Sequence, residues 1–159
     1  MKILFVCTGN VSRSFIAEML MENEIQSLQA GDIEVSSAGL HAYPGSPPDP
    51  KMVEYLLKKG IAIKPHEAKQ ITEEQLDWAD LIFVMENRHM ESMKKSWPES
   101  LEKVDLLGQF ISKGGHADDI VDPFGRSSYH YRLAQSQITL AVESLAKKII
   151  SEAGEGIPR

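Results

Sequence analysis

The sequence predicts an α/β protein: a single domain with an open, four-stranded parallel sheet and helices on both faces. Three observations point there. Short apolar segments rich in β-branched and aromatic residues recur along the chain, helical patterns separate them, and two of the apolar segments are almost unbroken. An unbroken apolar strand needs cover on both faces, the situation of an interior strand in a parallel sheet. Strands that alternate with helices are then joined by crossovers, not hairpins.

The strands are KILFV (2–6), IEVSSA (33–38), DLIFVM (80–85) and KVDLL (103–107), the first and third being the almost unbroken pair. Helical patterns fill the intervals. Residues 14–28 bring Ile16, Met19 and Leu20, with Phe15 beside them, to one side and leave Glu18, Glu22 and Asn23 elsewhere. Residues 48–59 group Met52, Val53, Leu56 and Leu57, and Gly60 supplies a C-terminal stop. In TEEQLDWA, Thr72 with Gln75 three residues on is a capping-box pattern. Residues 87–96 and the long stretch 127–152 complete the helices. HAYPGSPPDP (41–50) is the most loop-like internal segment. One domain over 1–159 is expected, with a frayed, flexible tail from about 154.

Composition narrows the function classes. The chain has 159 residues, 42% hydrophobic and 25% charged, the balance of a soluble globular protein. No apolar stretch is long enough to cross a bilayer, and the apolar start breaks at Thr8-Gly9-Asn10, too early for a signal peptide. A single cysteine excludes an internal disulfide and a Cys-rich metal site, so a reducing cytoplasm is the expected location. A net charge of −6 argues against a nucleic-acid partner. The five histidines (41, 66, 89, 116 and 130) lack ligand spacing such as H-E-x-x-H. They are expected on the surface or in packing roles, and no metal is expected.

The one thiol stands at an informative place. Between the strand ending at Val6 and the helix starting near Ser12 or Arg13 lies Cys7-Thr8-Gly9-Asn10-Val11-Ser12-Arg13-Ser14. Ligands of open α/β sheets bind beyond the carboxyl ends of strands, where helix N-termini offer free N–H groups and partial positive charge. Gly9 and Asn10 both tolerate left-handed backbone angles, which let a loop turn its amides toward one centre. Arg13 adds a planar fork of donors suited to phosphate oxygens. The same field favours a thiolate at Cys7. A lone cysteine is more often a small buried hydrophobe. Its position between strand and helix favours a nucleophile beneath a bound tetrahedral oxyanion.

Displacing phosphate from an ester also requires an acid for the leaving oxygen. IVDPFG (120–125) offers Asp122, held in a non-helical geometry by Pro123, with Phe124 beside it as an aromatic wall. Alone, Asp-Pro would be read as a turn initiator.

Together VCTGNVSRS near the N-terminus and DPFG before the last helix resemble the low-molecular-weight protein tyrosine phosphatase family. The resemblance continues through SSAG (36–39), PPDP (47–50), HEAKQIT (66–72) and FVME (83–86), so it covers nearly the whole chain. It implies that Cys7 attacks phosphorus to form a phosphocysteine, while the Arg13 side chain and the loop amides of Thr8, Gly9, Asn10, Val11, Ser12 and Arg13 hold the equatorial oxygens. It further implies that Asp122 protonates the leaving phenolate and then activates water. Ser14 is implied as the hydroxyl donor to the thiolate. Asn10, Ser37 and His66 would form a supporting hydrogen-bond network. No metal or organic cofactor is implied. The implied partners are phosphotyrosine-containing proteins, a tyrosine kinase among them, with inorganic phosphate as product. A monomer or weak homo-oligomer is expected.

Three departures qualify the resemblance. Ser12 stands where many eukaryotic members have a second cysteine able to bridge to the nucleophile. Phe15 replaces a proline common after the Arg-Ser pair, and Gly125 replaces a second aromatic after Phe124. Related enzymes set the alternatives. Thioredoxin-coupled arsenate reductases need further cysteines, which this chain lacks. Protein-arginine phosphatases look very similar but carry threonine at the position of Val11. A catalytically silent phosphate- or phosphopeptide-binding module is the alternative from another class, which the joint presence of Cys7, Arg13 and Asp122 disfavours.

Overall fold

Cys7 ends the first strand, and the strand order explains why that end is a binding position. A computed structural model describes residues 1–111 and 118–155 of the chain. Its four parallel strands are β1 (Lys2–Cys7), β2 (Glu34–Gly39), β3 (Leu81–Val84) and β4 (Val104–Leu106), in the order β2-β1-β3-β4. The chain leaves β1 toward one edge to make β2, then returns to its other side for β3. The crevice opened by that reversal lies at the carboxyl end of β1, the usual ligand position of such sheets.

Both faces of the sheet are covered, as the unbroken apolar strands predict. Ile3, Phe5 and Cys7 face a cluster with Phe15, Ile16 and Met19 of α1 (Arg13–Ser27) and Ile138 and Val142 of α5 (Ser128–Glu155). Leu4 and Val6 face the opposite cluster, with Leu76 of α3 (Glu73–Trp78) and Met93 of α4 (Asn87–Ser96). The remaining helix, α2 (Pro50–Lys58), packs Met52 and Leu56 on the first face, and Gly60 follows with a φ of 71°. The Thr72–Gln75 capping box is formed in both directions. Among the described residues, no helix is long and apolar enough to cross a membrane.

Four readings from the sequence need correction. Leu57 does not join Met52 and Leu56 but is 61% exposed, because a nine-residue helix at the rim buries only a narrow stripe. The last strand is only three residues long, since the backbone tightens into a 3-10 turn at Leu107–Phe110. Glu18 is not on a solvent face: α1 is buried on nearly all sides over its first nine residues, between β2, α2 and α5. The last helix continues to Glu155, past the expected end at 152, and the remainder of the expected tail lies outside the described residues.

Candidate active site

The loop from Cys7 to Ser12 is held by backbone bonds from the segment just after β2 before any side chain is considered. The amides of Leu40 and His41 donate to the carbonyls of Cys7 and Thr8 at 2.9 and 2.8 Å. This close approach requires Gly39, where a Cβ would stand 2.7 Å from the Thr8 carbonyl oxygen. Of the two residues expected to permit left-handed geometry, only Asn10 adopts it, with φ 58°. Gly9 does not, and a Cβ there would meet nothing nearer than Val11 at 3.9 Å.

Asn10 is fully buried and every polar atom it has is engaged, which offsets the cost of its backbone conformation. Its amide N–H points at Cys7 Sγ (3.3 Å) and its carbonyl accepts from His66 Nε2 (2.8 Å). Its Oδ1 accepts from the Lys69 amide (2.9 Å), and its Nδ2 donates to Ser14 Oγ (2.8 Å) and Ser37 Oγ (2.9 Å). Ser14 therefore retains its own proton for Cys7 Sγ, 3.0 Å away. Ser37 Oγ donates a hydrogen bond to Glu18 Oε1 at 2.5 Å. The sulfur thus faces two donors, the Ser14 hydroxyl and the Asn10 amide, an arrangement suited to a thiolate. Phe15 packs against the His66 ring, with centroids 4.8 Å apart and the planes tilted by 49°.

Arg13 is buried and fixed from the other side. Its Nη1 donates to the Ile120 carbonyl (2.8 Å) and its Nη2 to Glu86 Oε2 (3.0 Å), with Asp122 Oδ2 at 3.7 Å. Ile120 is itself docked on the end of β3 through its amide and the Met85 carbonyl (2.9 Å). The segment carrying Asp122 is thereby tied to the phosphate loop through one guanidinium. Asp122 Oδ1 accepts from the Phe124 amide (3.2 Å), an Asx-type turn that aims the half-exposed carboxylate. Gly125 follows with φ 74°, a backbone position that a second aromatic would occupy only with strain.

Glu86 and His89 were missing from the sequence reading, and His89 corrects it. This histidine is buried, not superficial. Its Nδ1 accepts from the Glu86 amide (3.2 Å), so Nε2 carries the proton and donates to Thr8 Oγ1 (2.9 Å). Burial, reinforced by the Arg13 and Arg88 charges, lowers its pKa to about 4, leaving it neutral at neutral pH. Burial works to raise the Glu86 carboxyl, yet hydrogen bonds from Arg88 and Arg13 and the Arg13 charge hold it below the ordinary carboxylate range. Arg88 also donates to Thr8 Oγ1 (3.2 Å). The available signal was positional: Glu86 lies just beyond the carboxyl end of β3, on the ligand side of the sheet. Nothing in local spacing marked His89 or Glu18.

These residues open onto a cleft of about 530 Å³. Cys7, Gly9, Val11, Arg13, Asp122 and Phe124 line it. His41, Tyr43, Pro47 and Pro48 line it too, so the segment read as a loop contributes to the cleft. Phe124 is 63% and Tyr43 84% exposed, and both are available to a flat, apolar group. Ser12, by contrast, directs its hydroxyl to Asp49 Oδ2 (2.7 Å).

Comparison with known proteins follows the same lines. The family model described as low molecular weight phosphotyrosine protein phosphatase matches residues 2–154. A relative from Geobacillus stearothermophilus named protein-arginine-phosphatase is 37% identical over 151 residues, 95% of this chain and 97% of that one. The solved YwlE arginine phosphatase from Geobacillus stearothermophilus has a TM-score of 0.89 at 36% identity, covering 99% of this chain and 98% of that one. The solved low molecular weight protein tyrosine phosphatase from T. tengcongensis has a TM-score of 0.83 at 35% identity, covering 93% and 99%.

Proposed function

This chain belongs to the low molecular weight phosphotyrosine protein phosphatase family, and we propose that it hydrolyses phosphotyrosine in phosphoproteins through a phosphocysteine on Cys7. The observation that carries this reading is the sulfur of Cys7, met by the Ser14 hydroxyl and the Asn10 amide at the edge of the cleft that Arg13 also lines. In the first step Sγ bonds to phosphorus as the P–O bond to the phenol breaks, and Asp122 gives its proton to the leaving oxygen. In the second, the Asp122 carboxylate takes a proton from water, the water oxygen bonds to phosphorus, and the S–P bond breaks. The thiolate is regenerated and inorganic phosphate is released. Arg13 and the loop amides meet charge on the equatorial oxygens, and Glu86 and Ile120 keep the guanidinium from turning away.

Phosphoarginine is the competing substrate, favoured by the 37% identical relative named as an arginine phosphatase. Val11 weighs toward phosphotyrosine in two ways. Val11 lines the cleft, and methyl groups there would pack on a phenyl ring at little desolvation cost. A phosphoguanidinium brings N–H groups that lose water and need acceptors, and valine offers none. A side-by-side assay of phosphotyrosine, phosphoserine and phosphoarginine peptides should give the highest kcat/KM on phosphotyrosine. Val11→Thr should move the ratio toward phosphoarginine by about threefold to tenfold, the worth of one net hydrogen bond. A wild type more efficient on phosphoarginine, or an unchanged ratio in the variant, rejects this specificity.

Ser12 sets the redox behaviour. Peroxide should convert Cys7 to a sulfenic acid with no second thiol in the chain to capture it, so oxidation runs on to forms that thiols do not reduce. Prolonged peroxide should therefore leave most wild-type activity unrecovered by dithiothreitol. Ser12→Cys should recover most of its activity, with a mass loss of two hydrogens before reduction. Full, rapid recovery of the wild type contradicts this account.

A further inference from the structure

Asp49 is a buried carboxylate lining the cleft proposed to bind a phosphoryl dianion, a placement that opposes anion binding unless its charge is used elsewhere. Its partners show where. Oδ2 accepts from the Ser12 hydroxyl (2.7 Å) and the Tyr131 hydroxyl (2.5 Å), and Oδ1 from the Lys51 amide (3.0 Å). The Asp49 amide donates to the Val11 carbonyl (2.9 Å). One residue thus grips two consecutive loop residues, through its main chain and its side chain, immediately before Arg13. It ties them to the N-terminus of α2, which it caps, and to Tyr131 of α5. The first half of the loop has separate supports in the Asn10 network and His89.

We infer that Asp49 is a positioning residue for the second half of the phosphate loop, acting through Ser12 and Val11 to hold the amides and Arg13 in their anion-binding arrangement. Ser12 is then more than a vacancy where relatives carry a thiol: its hydroxyl is the donor this clamp uses. Tyr131 is a permanent donor as well, because burial and the Asp49 bond both raise its phenol above the ordinary tyrosine value. The inference rests on the phosphatase reading of the same site.

Asp49→Asn tests it. The amide is isosteric and keeps one acceptor oxygen for the helix cap, but it cannot accept from Ser12, Tyr131 and Lys51 together. On aryl phosphates kcat/KM should fall by about 10-fold to 100-fold, the scale of a small misplacement of catalytic groups. The loss should be the same for good and poor leaving groups, and inhibition by inorganic phosphate should weaken in parallel. Ser12→Ala and Tyr131→Phe should each give a smaller loss, and either should add little to Asp49→Asn. A merely structural role would lower the melting temperature and move none of these ratios.

Wild-type kcat/KM and phosphate inhibition in Asp49→Asn would overturn the inference. So would a loss that grows with leaving-group pKa, which assigns Asp49 to proton transfer instead. If Asp49→Asn does not fold, unchanged kinetics in both Ser12→Ala and Tyr131→Phe overturn it equally. Failure here leaves a Cys7-dependent phosphatase intact, whereas activity that survives loss of Cys7 rejects the phosphatase mechanism itself.

Discussion

Cys7→Ser is expected to abolish turnover of aryl phosphates, by a factor on the order of 10⁴ or more, the scale seen when a covalent nucleophile is removed. The substitution is nearly isosteric, and the site around it does not depend on sulfur. Ser14 and the Asn10 amide donate toward that atom, and a hydroxyl oxygen accepts both bonds. Residue 7 is buried at the end of β1 and packs among apolar neighbours, so a smaller side chain leaves the sheet in place. A serine hydroxyl ionises too weakly to attack phosphorus at neutral pH, whereas sulfur is in general the far better nucleophile. The variant should still bind inorganic phosphate, measurable by calorimetry. In the wild type, iodoacetate should inactivate and phosphate should protect. Appreciable turnover by Cys7→Ser would place the nucleophile elsewhere.

Asp122→Asn should separate proton transfer from nucleophilic attack. With poor leaving groups the loss should reach about 10²–10⁴-fold, the usual contribution of a general acid. With good leaving groups, which depart as stable phenolates, it should be far smaller. The asparagine oxygen can still accept from the Phe124 amide, so the loop keeps its turn. The charge beside Arg13 Nη2 is lost, but the guanidinium remains held by Glu86 and the Ile120 carbonyl. The variant therefore tests the proton more than the architecture. A plot of log kcat/KM against leaving-group pKa should steepen. An equal loss across the series would remove Asp122 from the acid role.

Much of this was legible in the sequence because it is local. Apolar runs with period-two or unbroken patterns mark strands by the side-chain geometry of the pleat, and Thr72 and Gln75 cap a helix within one turn. The Cys7–Ser14 loop is contiguous, so its thiol, its turn-forming Asn10 and its arginine could be read as one unit. Where one-dimensional periodicity failed, burial had a different source. Glu18 falls on the polar side of a helical wheel, yet α1 is enclosed early in its length and the carboxylate meets Ser37. His89 carries no motif, and its neutrality comes from burial beside two arginines.

By itself the sequence determined the α/β class, the strand-to-helix position of the thiol, and the residue types available for phosphate chemistry. The tertiary structure decided which of those residues meet. Arg13 reaches the carbonyl of Ile120, 107 positions away, and Thr8 reaches His89, 81 positions away. Asp49 joins Ser12 and Tyr131 across separations of 37 and 82. Backbone periodicity constrains neighbours within a few residues, because it arises from local dihedrals and hydrogen bonds. Contacts at long separation are set by the strand order β2-β1-β3-β4, which gathers the loops after β1 and β3 and the turn before α5 around one crevice.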